Sequence, residues 1–127
     1  MKQAFPVPNC PTPNGQYSHI IKAGNLAFTA GQVPIDPAIG TIVAGGIVEQ
    51  THQVMTNLKT ALAAAGLDFS NVVQVNLFLA NIDDLPAHNE VWAAYFPMSD
   101  PPVRSCIEAA RLPKGALLQI AMVAVYN

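Results

Sequence analysis

The sequence predicts an α+β domain of element order ββ(β)αβαββ, in which a sheet packs on two helices and oligomerises through its other face. Apolar residues recur at helical spacing in two stretches, and apolar runs of strand length flank both. The last strand is apolar on both faces, so its sheet needs a cover on each side. Two helices cover one side, and a partner subunit is the simplest cover for the other.

The composition also points to an oligomer. Of the 127 residues, 51% are hydrophobic and 11% are charged, against roughly 25% charged in an average soluble protein. A monomer of this mass exposes roughly 6,500 Å² of surface, and six Lys/Arg with eight Asp/Glu are few charged residues for that area. Large apolar surface patches usually mark interfaces, and the length fits a single domain over residues 1–127.

Several classes of protein are disfavoured by the same counts. A net charge of −2 and a pI near 5.8 argue against broad binding of nucleic acid. No apolar run reaches the 18 residues of a membrane span, and Met1–Cys10 lacks the apolar region of a secretory signal. Two cysteines form neither a disulfide framework nor a metal-ligand cluster. The expectation is a cytoplasmic protein without metal or membrane contact.

The N-terminal part of the chain predicts short strands. Four prolines in the first fourteen residues predict an extended segment. Tyr17–Lys22 and Leu26–Ala30 are the first two predicted strands, because Gly24-Asn25 between them is a hairpin turn signal. Thr41–Ala44 is a possible third, minor strand.

The first helix is predicted over Ile47–Ala65, where apolar residues recur every three or four positions. Gly66 occupies the position of the glycine that commonly follows a helix end. Val72–Ala80, which is rich in Val and Leu, is the next predicted strand.

A second helix follows that strand, and two further strands end the chain. Asp83 or Asp84 is the candidate N-cap of the helix, and Pro86 is tolerated in its first turn. Arg104–Ala109 and Leu117–Tyr126 are the last two predicted strands.

Arg104 is the first candidate functional residue, because it is a cation inside an apolar strand. Alternation places it on one face with Cys106 and Glu108. A guanidinium on a mostly covered face needs an anionic partner. That partner is either Glu108 or a carboxylate across an interface, or it is the carboxylate of a substrate.

Cys106 has two interpretations. It is either a nucleophile whose thiolate is favoured by Arg104, or a small buried hydrophobic residue. No histidine is placed by sequence to act as its base, and His19, His52 and His88 are each interpreted as surface or capping residues.

Tyr17 and Gln119 are weaker candidates. Tyr17 follows Asn14-Gly15 and either presents its hydroxyl at a sheet edge or packs as an aromatic core or interface residue. Gln119 is polar in an apolar strand, so it either hydrogen-bonds a neighbour or faces a pocket.

Six segments carry a resemblance to a known family: Asn14-Gly-Gln-Tyr-Ser18, Ala23-Gly-Asn-Leu26, Ala30-Gly-Gln-Val-Pro34, Asp36-Pro37, Pro102-Val-Arg-Ser-Cys106 and Ala110-Arg-Leu-Pro-Lys114. In order and spacing, from about Pro13 to Val125, the chain resembles the reactive intermediate deaminases, the RidA/YjgF family. The resemblance implies a chorismate-mutase-like fold and a homotrimer in which three sheets pack into a barrel with pockets between subunits. It also implies hydrolysis of imines and enamines to keto acids and ammonia, without metal or organic cofactor. An endoribonuclease activity is attached to the family name too, but the acidic balance of the chain argues against it.

The resemblance also implies roles for particular residues. Arg104 would bind the substrate carboxylate as a bidentate fork, and Cys106 would line the pocket with its backbone amide and carbonyl. The pocket wall would come from four further residues, Tyr17, Ala30, Gly31 and Asn89. The substrate class would be a small imine or enamine that bears a carboxylate.

Two positions depart from the family pattern. Ala30 replaces a common Ser, and Gln119 replaces the Glu that orients or activates water. A glutamine can hydrogen-bond a water but cannot accept its proton. Two hypotheses follow: a divergent deaminase, in which Gln119 and the Cys106 backbone hold the water, or a carboxylate-binding or regulatory trimer that has lost this catalysis.

Overall fold

A computed structural model describes all residues, 1–127. Its strands and α-helices are β1 (Lys2–Ala4), β2 (Ile20–Ala23), β3 (Leu26–Thr29), β4 (Ile35–Asp36), β5 (Thr41–Ile42), α1 (Ile47–Ala64), β6 (Val72–Leu79), α2 (Leu85–Tyr95), β7 (Val103–Glu108) and β8 (Leu118–Val125). Six strands form one sheet in the order β1-β2-β3-β8-β6-β7, and β4 pairs with β5. All pairs are antiparallel except β6 and β7, the two strands that α2 connects. The predicted α+β class is confirmed, and so is the order αβαββ from α1 onwards. Five strands rather than two or three precede α1, because β1 and β4 were not predicted.

Two local sequence signals are confirmed in detail. Ala23 pairs with Leu26 across the two-residue turn, whose Gly24 adopts a φ of +62°. Helix α1 ends in a Schellman motif: the Gly66 N–H donates to the Ala63 carbonyl, and the Leu67 N–H donates to the Leu62 carbonyl. Gly66 has a φ of +80°, a left-handed conformation that glycine adopts without steric cost.

The N-terminus differs from the prediction in two ways. Its first residues are not only extended, because β1 pairs with β2 as the edge strand of the sheet. Strand β2 begins at Ile20 rather than Tyr17. The reason is local: the Tyr17 N–H donates to the Gly15 carbonyl in a tight turn, so it is not part of the sheet ladder.

The core lies between the two helices and one face of the sheet. Every second residue of β8 points into it, and none of these is more than 2% exposed: Leu118, Ile120, Met122 and Ala124. Helix α1 contributes Val54, Met55, Leu58 and Leu62, all fully buried. Burial of each large aliphatic side chain is worth about 1.5–3 kcal/mol, so this layer holds the helices on the sheet.

The opposite face of the sheet, which we call the open face, is apolar but is not covered by the chain. Phe28 on β3 pairs with Val123, and Ile107 on β7 pairs with Phe78. Phe28 is 42% exposed, Ile107 is 56% exposed and Val103 is 68% exposed. The prediction that the last strand has two apolar faces is therefore confirmed, and one of the faces lacks a cover within the chain.

Candidate functional site

Arg104 lies on β7, at the edge of the sheet and on its helix-covered face. In the parallel register Arg104 pairs with Val75, and Cys106 pairs with Leu77. Both of these β6 partners are buried in the core, and paired residues project to the same side. Glu108 continues the same row, so the predicted shared face of Arg104, Cys106 and Glu108 is confirmed.

The Arg104 guanidinium is half-buried, and no anion of the chain is paired with it. Its Cζ lies 5.3 Å from the centroid of the Trp92 ring on α2, a cation–π contact that holds the side chain in place. Glu108 is engaged elsewhere, because its Oε1 accepts the backbone N–H of Ile82 at 2.9 Å. Of the alternatives for Arg104, the ion pair with Glu108 is therefore wrong.

Cys106 is a half-buried thiol packed against the core. Burial raises its pKa, and the nearby charge of Arg104 offsets only part of that rise. A raised pKa keeps the thiol protonated near neutral pH, and the thiolate is the nucleophilic form. The environment favours the interpretation of Cys106 as a small buried side chain over that of a nucleophile.

His88, one helical turn before Trp92, is fully buried, so its interpretation as a surface or capping residue is wrong. Its Nδ1 lies 3.1 Å from Thr51 Oγ1, whereas its Nε2 is buried without a hydrogen-bond partner. Burial, and then the charge of Arg104, lower the pKa of His88 to about 4, which keeps the ring neutral. The spacing from Leu85 and to Trp92 was the available signal, because it places His88 on the apolar side of α2. Asn89, the next residue, is exposed.

A second group of candidates lines a cavity of about 220 Å³, which we call the Gln119 cavity. Tyr17, His19, Gly31, Lys114 and Gln119 are among the thirteen residues that line it. Gly31 lies against Gln119 so closely that a Cβ there would be 2.9 Å from the Gln119 Cδ. A glycine is therefore what allows the amide of Gln119 to occupy this wall.

Around this cavity the histidines and Ala30 are placed as follows. His19 is buried, so its surface or capping interpretation is wrong, whereas His52 is exposed. His19 Nδ1 lies 3.1 Å from the Gln32 side-chain nitrogen, and its ring meets Tyr17 edge-on. Ala30 does not line the cavity; its N–H donates to the His19 carbonyl at 2.9 Å.

The two groups lie on opposite faces of the sheet. Gln119 pairs with Phe78, and Phe78 pairs with Ile107, so these three side chains share the open face. Arg104 and Cys106 project from the helix-covered face. One chain therefore does not bring Arg104 and Gln119 into a single site.

No group of three or more His, Cys, Asp or Glu side chains is arranged to hold a metal ion. Neither helix is long and apolar enough to cross a membrane.

Comparison with known proteins identifies the family. The family model described as endoribonuclease L-PSP matches residues 7–126. The chain belongs to this family, which includes the RutC and RidA proteins. A RutC family protein of Pyrococcus horikoshii is 46% identical over 124 residues, which cover 98% of each chain. A 2-iminobutanoate/2-iminopropanoate deaminase of Capra hircus is 41% identical over 115 residues, covering 91% of this chain and 83% of the goat protein.

Solved structures of the family share the fold. The crystal structure of Escherichia coli TdcF with bound serine matches with a TM-score of 0.92 and 31% identity, covering 98% of this chain and 99% of TdcF. The mixed α+β fold with two helices on a sheet is thus that of RidA/YjgF proteins.

Proposed function

We propose that the protein is a cofactor-independent deaminase that hydrolyses reactive 2-imino and enamine acids to 2-keto acids and ammonia. The observation that carries this proposal is the half-buried Arg104 guanidinium, which is held on Trp92 and lacks an anionic partner in the chain. A planar guanidinium offers two parallel N–H donors to a carboxylate, the group that every 2-imino acid carries. The name of the goat relative supports the same reaction, and we expect it to take place in the cytoplasm.

The complete site in this proposal is formed by two copies of the chain in a homotrimer. Arg104 is on the edge strand β7, whereas the Gln119 cavity is reached from the other side of the sheet. The apolar open face supports assembly, because it gives a second copy a surface to cover. Packing of one copy against the open face of the next would bring the Arg104 edge of one subunit to the cavity of its neighbour.

The reaction requires mainly that the protein positions the imine and a water molecule next to each other. Arg104 holds the carboxylate, and Gln119 holds a water by hydrogen bonds. The water oxygen adds to the carbon of the C=N bond, and the electron pair of that bond moves to nitrogen. One proton of the water passes to the nitrogen, which gives a carbinolamine. The second proton passes from the carbinolamine hydroxyl to the amine as the C–N bond breaks, so that ammonia leaves and the C=O bond of the keto acid forms. Gln119 orients the water but does not take its proton, because an amide is not a base at neutral pH.

The test is deamination of 2-imino acids made in situ by an amino-acid oxidase, with the surviving imine trapped by semicarbazide. Arg104→Ala should lower kcat/KM about 10- to 100-fold, because the substrate carboxylate loses a pair of charge-assisted hydrogen bonds. Arg111→Ala removes the other arginine of the chain, which is exposed and outside the cavity, and should leave the rate unchanged. Full activity of the Arg104→Ala protein would refute the carboxylate assignment.

A second candidate function is a carboxylate-binding or regulatory trimer without turnover. Gln119 favours it, because the position offers no proton acceptor beside the bound water. Binding of a small carboxylate that depends on Arg104, with no acceleration of imine loss for any amino acid, would establish this function in place of the deaminase.

A further inference from the structure

We propose that the Gln119 cavity binds a second acidic group of the ligand, so that the preferred substrates are 2-imino acids with a carboxylate side chain. This inference rests on the proposed function and names the substrate class of the same site. Three properties of the cavity carry it: the charge of its lining, the orientation of His19, and its separation from Arg104.

The lining carries one charge, and that charge is positive. Lys114 is the only ionised side chain among the thirteen lining residues, and no Asp or Glu is among them. Lys114 and Gly115 both have positive φ, of 57° and 70°, and form the tight turn before β8 that places Lys114 at the cavity. A concave site with one cation and no carboxylate attracts anions.

His19 adds an N–H donor. The Gln32 side-chain nitrogen can only donate, so at 3.1 Å it requires His19 Nδ1 to accept. With Nδ1 accepting, the ring N–H lies on Nε2. His19 Nε2 has no hydrogen-bond partner within the chain. It remains accessible to solvent, because His88 Nε2 is the only side-chain nitrogen or oxygen that is both fully buried and without a partner. His19 lines the cavity, and its free Nε2–H is therefore available to a ligand oxygen.

Arg104 does not line this cavity and projects from the other face of the sheet. The two cations consequently act on different groups of the ligand. In the two-copy site, Arg104 of one copy binds the carboxylate next to the imine. Lys114 and His19 of the other copy bind the side-chain carboxylate, and the connecting methylenes contact the apolar wall of Val33 and Ile35.

The experiment compares imines made in situ from aspartate and glutamate with those from alanine and leucine. The wild type should show at least about a 10-fold higher kcat/KM for the acidic imines. Lys114→Gln should lower kcat/KM at least about 10-fold for the acidic imines and by a smaller factor for alanine imine, so that the preference is lost. The Lys114 side chain is exposed, so this change does not disturb the core. Lys59→Gln, the same charge change on the exposed side of α1, is the matched control and should retain the preference.

A binding measurement separates this inference from the proposed function. Calorimetry should show tighter binding of glutarate than of butanoate to the wild type, and this difference should vanish in Lys114→Gln. Such binding without turnover of any imine would refute the deaminase and leave the second subsite standing. Turnover that depends on Arg104, with no preference for acidic imines or with equal losses for both classes in Lys114→Gln, would overturn the second subsite alone.

Discussion

Acid should destabilise this protein through His88, a ring that the fold cannot charge without cost. The ring is fully buried, with the Arg104 cation nearby, and its pKa is lowered from the ordinary 6.5 to about 4. The unfolded chain therefore binds a proton at His88 between pH 6.5 and pH 4, and the folded chain does not. Stability is full above pH 6.5, falls as the pH drops through this window, and undergoes no further loss from His88 below pH 4.

The size of the effect follows from the two pKa values. A difference of about 2.5 pKa units corresponds to about 3 kcal/mol of unfolding free energy between neutral pH and pH 4. At pH 5 about 2 kcal/mol of this is already lost by the same linkage relation. Typical domains are stable by about 5–15 kcal/mol, so the loss is a large share of the total.

Urea denaturation at fixed protein concentration, from pH 8 to pH 5, measures this loss. The protein concentration is held fixed because unfolding of an oligomer depends on it. His88→Leu removes the titrating ring, so its unfolding free energy should vary with pH by about 2 kcal/mol less than that of the wild type. His52→Leu, at an exposed histidine, should keep the wild-type dependence. If His88→Leu follows the wild-type pH dependence to within about 0.5 kcal/mol, the assignment to His88 is refuted.

Two further predictions concern the wall of the Gln119 cavity. Gly31→Ala should displace the Gln119 amide, because the added Cβ would lie 2.9 Å from its Cδ. We expect deaminase activity to fall at least about 10-fold. The unfolding free energy should change by less than about 1 kcal/mol, because the flexible Gln119 side chain can move away from the added Cβ. In a Gln119→Ala background the same change should have no further effect on activity, and an additive loss would contradict the contact. Gln119→Glu should raise the rate with alanine imine at least about 10-fold, because it adds a proton acceptor beside the water. An unchanged or lower rate would count against a water-handling role for this position.

Features of the fold that depend on neighbouring residues could be predicted from the sequence. The Gly24-Asn25 hairpin and the Gly66 helix end are examples, because backbone freedom at one or two residues decides them. Strand β1 could not be found in this way, since its pairing with β2 joins residues about twenty positions apart. A short polar strand next to prolines has no periodic apolar signal of its own.

The candidate site was predictable as a set of residues but not as an arrangement. Alternation along β7 correctly groups Arg104 with Cys106. It does not show whether these two side chains project from the same face of the sheet as Gln119 on β8 or from the opposite face. That depends on the register of both strands with β6. The burial of His19 and His88 was missed for a related reason: a histidine is buried when packing supplies a partner, here Gln32 and Thr51, and both partners are distant in sequence.

The separation of Arg104 from Gln119 ties the chemistry to the assembly. Each chain has a guanidinium without an anionic partner at one edge of its sheet, and the Gln119 amide projects from the opposite face. The two parts of the proposed site therefore lie on opposite sides of the sheet in one chain. The same chain leaves Phe28, Val103 and Ile107 exposed on the open face. In the proposed trimer, one subunit contact both covers the apolar face and completes the pocket, because the neighbour that packs on the open face is also the neighbour that supplies Arg104. A substitution that weakens this contact should therefore cost stability and activity together, whereas one at Arg104 should cost activity alone.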